Sequence, residues 1–225
     1  MLTEKDFELI EKLRAEQQRR TREIPLEGIV VNHVGKDFIV YNGVFIPFTD
    51  SEIFVESYKI NPGESVLDIA TGCGIIAVFS AYKGAGRVLA TDVHSQAVNC
   101  ARENARRHGF SDIIETRLSD MYWNIGSDER FDVITGNLPF RNKKAYDFVQ
   151  GAQWDTDLRI QREFFAGLGD HLNPGGRAYT SQSNFGALDE MLYQANFHEF
   201  QPKLIGLRKM PEDPRMIYIF EVTGK

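Results

Sequence analysis

Three acids follow one another at intervals that could build a single binding site. Asp68 opens the run Asp-Ile-Ala-Thr-Gly-Cys-Gly, in which Gly72 and Gly74 make a tight turn with no Cβ to hold a ligand off the backbone. Asp92 stands twenty residues beyond Gly72, where a carboxylate can take both hydroxyls of a ribose. Asp120 comes third and can accept from an adenine amino group, with Val93, Met121 and Tyr122 as apolar walls. No Gly-Lys-Ser/Thr accompanies the turn, and Asp68 beside it would repel a pyrophosphate while suiting a cation or an amino group. A nucleoside with a positively charged tail fits this set better than a dinucleotide. A glycine pair taken alone also occurs where only packing requires it.

Such acids need strands that end together. Strand-like segments at 65–69, 87–91, 113–118 and 131–135 alternate with helical ones at 75–82, 95–107 and 158–172, the last ending at Pro174-Gly175-Gly176. A further strand at 177–182, a short helix at 187–194 and two β-segments at 200–207 and 216–222, joined through Pro211 and Pro214, complete the chain. This alternation predicts an α/β, Rossmann-like fold: a mainly parallel seven-stranded sheet with helices on both faces and an antiparallel edge. Ahead of it, Phe7, Leu9, Ile10 and Leu13 pattern a helix over 3–22, with Arg14, Arg19, Arg20 and Arg22 forming a solvated basic end. Residues 28–48 read as β-structure, turning at Val34–Asp37 and again at Asn42-Gly43 before a strand at Val44–Phe48. A helix capped by Thr49 or Asp50 follows. Two regions result: residues 1–60 as helix, hairpin and lead-in helix, and residues 61–225 as the sheet domain.

The 225 residues are 42% hydrophobic and 26% charged, enough apolar content for a sizeable core. The apolar run around Ile75–Ser80 is far short of a bilayer span, and the acidic, amphipathic MLTEKDFELIEKL lacks the features of a secretory leader. With two unpaired cysteines, Cys73 and Cys100, this predicts a cytoplasmic protein with no membrane partner. A net charge of −6 argues against a main affinity for phosphate backbones. The five histidines form no HxH or HExxH group, so no metal site is expected.

Asp68-x3-Gly72-x-Gly74, Asp92 and Asp120 at successive strand ends resemble the class I S-adenosylmethionine-dependent methyltransferases, over residues 28–225. The resemblance implies S-adenosylmethionine as methyl donor, with S-adenosylhomocysteine as product. Thr49, Asp68, Ala70, Gly72, Gly74, Asp92, Val93, Asp120, Met121 and Asn137 would then hold it. After the fourth strand, Gly136-Asn137-Leu138-Pro139-Phe140 resembles the Asn-Pro-Pro-Tyr/Phe segment of methyltransferases that modify nitrogens on planar groups. An amide or exocyclic amine is a poor nucleophile because its lone pair is delocalised. The Asn137 oxygen and the Leu138 carbonyl can accept its N–H bonds, an interaction that strengthens as positive charge develops on nitrogen. Pro139 stiffens the loop, and Phe140 stacks on the acceptor or faces the cationic donor. Leu138 replaces the first proline and Phe140 the commoner tyrosine.

Upstream, Val44–Glu56 is similar to the Pro-Arg-Pro-Glu-Thr-Glu region of glutamine methyltransferases that act on peptide-chain release factors. That similarity implies that Thr49 and Asp50 border the donor's methionine end or the acceptor pocket, although Phe48 and Asp50 depart from the pattern. The long connection 141–157 carries Arg141, Lys143 and Lys144 for an anionic substrate and Tyr146, Phe148 and Trp154 for a pocket wall. With residues 14–22 these charges could make one positive surface. Three readings stay open: a protein-glutamine methyltransferase, an RNA-base or small-molecule N-methyltransferase, and a donor-binding scaffold without turnover. Related enzymes with short N-termini act with a partner subunit, so one is possible here too.

Overall fold

The computed structural model describes residues 2–210 and 213–225; Met1 and Pro211, named above, lie outside the described residues. Helix α1 (Glu4–Arg22) starts in a capping box, in which the Thr3 hydroxyl accepts from the Asp6 amide and Asp6 accepts from the Thr3 amide. Strands β1 (Ile29–His33) and β2 (Lys36–Val40) pair in register His33 with Lys36, leaving Val34 and Gly35, both at positive φ, as a two-residue turn. Helix α2 is Thr49–Ser57. The sheet domain then runs β3 (Ser65–Ile69), α3 (Ile75–Tyr82), β4 (Arg87–Asp92), α4 (Ser95–Arg107), β5 (Ile114–Leu118) and β6 (Phe131–Gly136). It continues through β7 (Arg141–Asn142), α5 (Phe148–Gly151), β8 (Trp154–Asp155), α6 (Arg159–His171), β9 (Leu172–Ser183), α7 (Leu188–Phe197), β10 (Phe200–Lys209) and β11 (Met216–Gly224).

Seven strands lie in the order β10-β11-β9-β6-β3-β4-β5, with β11 antiparallel to both neighbours and the remaining pairs parallel. Strand alternation splits the core. Val66, Val88 and Val133 face a cluster with α2, α3 and α4, while Leu67, Leu89 and Ile134 face Phe164, Phe165 and Leu168 of α6. Ile10 of α1 and Phe38 of β2 join the first cluster, so the N-terminal elements share that core. Among the described residues no helix is long and apolar enough to cross a membrane.

Four local expectations change. Val44–Phe48 pairs with no described strand; it is an irregular segment with Val44 and Ile46 buried, and just before it the Asn42 amide donates to the Arg22 and Ile24 carbonyls. Thr49 and Asp50 do not cap α2, because Phe48 is the cap residue and makes no side-chain bond. Pro174-Gly175-Gly176 does not end a helix. α6 stops at His171, and the three residues sit in an irregularity of β9 between the pairs Phe131–Leu172 and Val133–Arg177. A Cβ at Gly176 would come within 2.9 Å of the Asn173 carbonyl, so the chain can take this path only with glycine there. Finally, α1 does not bury its apolar stripe: Phe7 and Leu9 are exposed, and its buried residues are Ile10, Arg14, Gln17, Gln18 and Thr21.

Candidate active site

The two glycines after β3 have separate tasks. A Cβ on Gly74 would lie 2.9 Å from both Cα and Cβ of Ala101, so Gly74 lets α4 pack against the turn. Nothing stands within 4 Å of a Cβ at Gly72, which leaves its backbone open to a ligand. Ala70, at φ +56°, takes the left-handed conformation in the same reversal. Beneath the turn Asp68 is wholly buried, accepting from the Thr71 hydroxyl at 2.6 Å and the Thr135 hydroxyl at 2.8 Å. Burial pushes its carboxyl up to about 6, against the opposing pull of those two hydroxyls.

Asp92, at the end of β4, accepts from the Gly72 amide at 3.0 Å and from the His94 amide at 2.9 Å. Those bonds hold its carboxylate at the mouth of the turn, and burial raises its pKa. At the end of β6 the Asn137 oxygen accepts from the Ser181 hydroxyl at 2.5 Å, and the Asn137 amide donates to the Ser51 hydroxyl at 3.4 Å. Phe140 is 4% exposed; its carbonyl accepts from the Ala187 amide, and its ring meets Phe185 edge-on at 5.4 Å.

These elements surround a cavity of about 370 Å³. Ala70, Gly72, Asp92, Val93 and the segment Asn137–Phe140 lie on its wall, whereas Asp68 and Gly74 lie outside that lining. The structure does not bring Thr49, Asp120, Met121 or Tyr122 to the wall. Asp120 is instead paired at 3.1 Å with Arg159 of α6, which itself lines the cavity. Met121 is buried in the core beside α6, and Tyr122 stacks on His171 with ring centroids 4.9 Å apart. Near Asp92 the flat surface comes from His94 stacked on Phe148, at 4.4 Å and 9°.

The connection after β6 folds back over the site and meets α1. The Gln18 amide donates to the Gln153 oxygen at 3.1 Å, and the Gln153 amide donates to the Gln17 oxygen at 3.2 Å. Arg22 pairs with Asp147 at 2.8 Å, Lys143 pairs with Glu11 at 2.7 Å, and Arg141 pairs with Glu11 as well. The basic residues of the two segments therefore converge, but largely on acids. Wholly buried Asp155 accepts from the Ile160 and Gln161 amides and pins the start of α6, just after Asp157 and Leu158 at φ +56°.

Sequence reasoning missed Ser51, Ser181 and His94, and it placed Arg14 in a solvated basic end, whereas Arg14 is buried on the cavity wall. Ser51 and Ser181 carry no local signature, because their distance from Asn137 along the chain hides the contact. Arg14 did leave a trace: with Gln17, Gln18 and Thr21 it forms a polar stripe at helical spacing, on the face that also carries the buried Ile10.

The open Gly72 backbone, the backbone-held Asp92 and the cavity between them and Asn137 suit an adenosyl donor with a cationic tail. The fold and this arrangement are those of a class I methyltransferase. Residues 42–201 match the model of the methyltransferase small domain, and the chain belongs to that family. It is 32% identical over 155 residues to a release factor glutamine methyltransferase of Cereibacter sphaeroides, covering 64% of this chain and 55% of the relative. It is 42% identical over 79 residues to a ribosomal protein L11 methyltransferase of Desulforamulus reducens, covering 35% and 25%. The chain thus spans about half of one relative and a quarter of the other. The fold is shared with the Thermus thermophilus 16S rRNA N2 G1207 methyltransferase solved with AdoMet and guanosine, at a TM-score of 0.62 and 18% identity, over 86% of this chain and 50% of that one.

Proposed function

We propose that the protein transfers a methyl group from S-adenosylmethionine to an amide or amine nitrogen. The observation that carries this reading is the placement of Asn137, its oxygen oriented by Ser181, on the same cavity wall as Gly72 and Asp92. When bound, the donor supplies an electrophilic sulfonium methyl: the N–C bond forms as the C–S bond breaks, the pair stays on sulfur, and the nitrogen's proton leaves to water. Asp92 would take the ribose hydroxyls, and the Gly72 turn gives the backbone close approach. The Asn137 oxygen and Leu138 carbonyl accept N–H bonds from the acceptor, which strengthen as the nitrogen becomes positive. Phe140 supplies an apolar face beside them, and Arg14 of α1 together with residues of the 141–158 connection walls the cavity.

Likeness to the release factor enzyme supports a protein glutamine as acceptor. The tied roof supports a second reading, a small-molecule acceptor, since a polymer would have to part the Gln17–Gln153–Gln18 contacts. Pairing of Arg22, Arg141 and Lys143 with acids disfavours RNA. The test is transfer of label from methyl-labelled donor into an extract of cells lacking this gene, fractionated into protein, nucleic acid and small molecules. Label in one fraction, lost with Asn137→Ala while donor affinity stays within about twofold, supports the reading. Equal labelling by the variant refutes the role of Asn137.

A further inference from the structure

An amphipathic helix ordinarily turns its apolar residues inward, because a buried polar group is costly unless it is hydrogen-bonded. α1 turns inward only Ile10 of its apolar stripe and four polar residues beside it, and most of these polar groups are satisfied. Gln17 and Gln18 bond to Gln153, and the Thr21 hydroxyl donates to the Gln17 carbonyl. The Gln17 Nε2 has no partner among the described residues, and Arg14, a full cation, has none for any of its donors. Arg14 is 7% exposed and lines the cavity, yet its side chain makes no hydrogen bond or ion pair with any described residue. Its guanidinium carbon lies 5.5 Å from the centre of the Phe140 ring and 5.2 Å from that of Phe185. Two ring faces thus hold a planar cation in place while its donors remain free. Asp50, on the same cavity wall, has a buried Oδ1 that also lacks a partner among the described residues, and no ion pair joins it to Arg14. Burial brings the Arg14 guanidinium down to about 10, and the nearby Asp50 opposes that shift, so the cation persists at neutral pH.

A fork of N–H donors in an apolar setting matches a carboxylate, which it can bind through two parallel bonds. The ring partners of Arg14 point to the acceptor side, since Phe140 closes the segment that starts at Asn137 and neither ring belongs to the glycine turn. The roof that carries Arg14 is tied down by Gln153 and by the ion pairs of Glu11. We propose that Arg14 anchors the acceptor: the acceptor is a small molecule bearing a carboxylate, which Arg14 binds beside Phe140 while the nitrogen to be methylated lies at Asn137. This rests on the N-methyltransferase reading above. The open Asp50 oxygen adds an acceptor for an N–H of the same molecule.

The test uses the full chain with methyl-labelled S-adenosylmethionine and the small-molecule fraction of an extract from cells lacking the gene. One portion is left intact, one has its carboxylates converted to methyl esters, and one is esterified and then saponified. Wild-type protein should label a product that binds an anion exchanger, lose it with the esterified portion, and recover it after saponification; this arm needs no variant. Arg14→Gln should cut transfer at least about tenfold and Arg14→Lys less, because losing a charge-assisted pair costs roughly this much. Donor affinity should stay within twofold. Labelling that survives esterification, or that appears in protein or RNA instead, overturns the proposal. So does an Arg14→Gln variant that loses donor affinity as steeply as transfer, which would assign Arg14 to the donor's own carboxylate. No label in any fraction, from wild-type protein that binds the donor, removes the N-methyltransferase reading and this anchor with it.

Discussion

The Ser181 hydroxyl, on β9, donates to the Asn137 oxygen at the end of β6 across a distance of 2.5 Å. β6 and β9 are parallel neighbours paired through Gly136 and Thr180, so the residues that follow each pair must lie side by side. Together with Ser51, which accepts from the amide end, Ser181 holds the Asn137 side chain at both ends.

Ser181→Ala should therefore lower kcat without changing donor affinity. One neutral hydrogen bond contributes about 1 kcal/mol, so a fall of about five- to tenfold is expected. Steady-state kinetics beside calorimetric titration with S-adenosylhomocysteine will show it. An unchanged kcat would mean that Asn137 needs no such orientation.

Gly72→Ala and Gly74→Ala should separate binding from folding. Both positions have positive φ, which costs a Cβ-bearing residue about 1–2 kcal/mol. At Gly74 the collision with Ala101 adds to that, so Gly74→Ala should show the larger loss of stability in urea unfolding. At Gly72 the methyl has free space in the folded chain and intrudes only on a ligand. That variant should keep most of its stability and lose donor affinity.

Asp92→Ala removes an acceptor that satisfies two backbone amides as well as the groundwork for ribose binding. Donor affinity should fall about ten- to a hundredfold, since bonds to a charged acceptor are worth about 1.5–3 kcal/mol. The melting temperature should fall too, because the Gly72 and His94 amides lose their partner. An undiminished affinity for S-adenosylhomocysteine would remove Asp92 from the donor site.

Asp68 should leave a mark on the pH dependence of stability. Its folded-state pKa, about 6, lies above the ordinary 3.8, so the folded protein holds the proton more tightly than the unfolded chain. Stability is then greatest below pH 4 as far as this group is concerned and declines as pH rises toward 6, by about 3 kcal/mol in all. Asp92, also raised, acts in the same sense, while Glu64 and Glu129, which arginines hold low, act in the opposite one. The difference between wild type and Asp68→Asn isolates the effect: the variant should gain stability relative to wild type between pH 4.5 and 7.5. A constant difference across that range would contradict it.

Much of the fold was legible because its strands are short apolar runs followed by turn chemistry and helical periodicity, all of them local signals. α3 and α4 have the predicted bounds, and β3, β4, β5 and β6 agree to within a residue. The errors fall where pairing partners are distant. Val44–Phe48 has strand-like residues but pairs with no described strand, and Pro174-Gly175-Gly176 has breaker residues that β6 nevertheless draws into a bulged strand. Asp120 stands at the end of β5 as the alternation implies, but its partner Arg159 comes from a helix about forty residues away.

What the sequence by itself determined was the run of backbone-controlled features: the glycine turn, Asp92 after β4, and Asn137-Leu138-Pro139-Phe140 after β6. Each is set by residues adjacent in the chain, and a parallel sheet necessarily brings such strand ends to one edge. Tertiary structure alone decided what surrounds them. It buried Asp68 under the turn, turned Asp120 to Arg159, set Ser51 and Ser181 against Asn137, and laid the polar face of α1 over the cavity with Arg14 inside. These outcomes depend on contacts between segments far apart in sequence, where the desolvation cost of a charge and the supply of partners are settled only once the chain has packed.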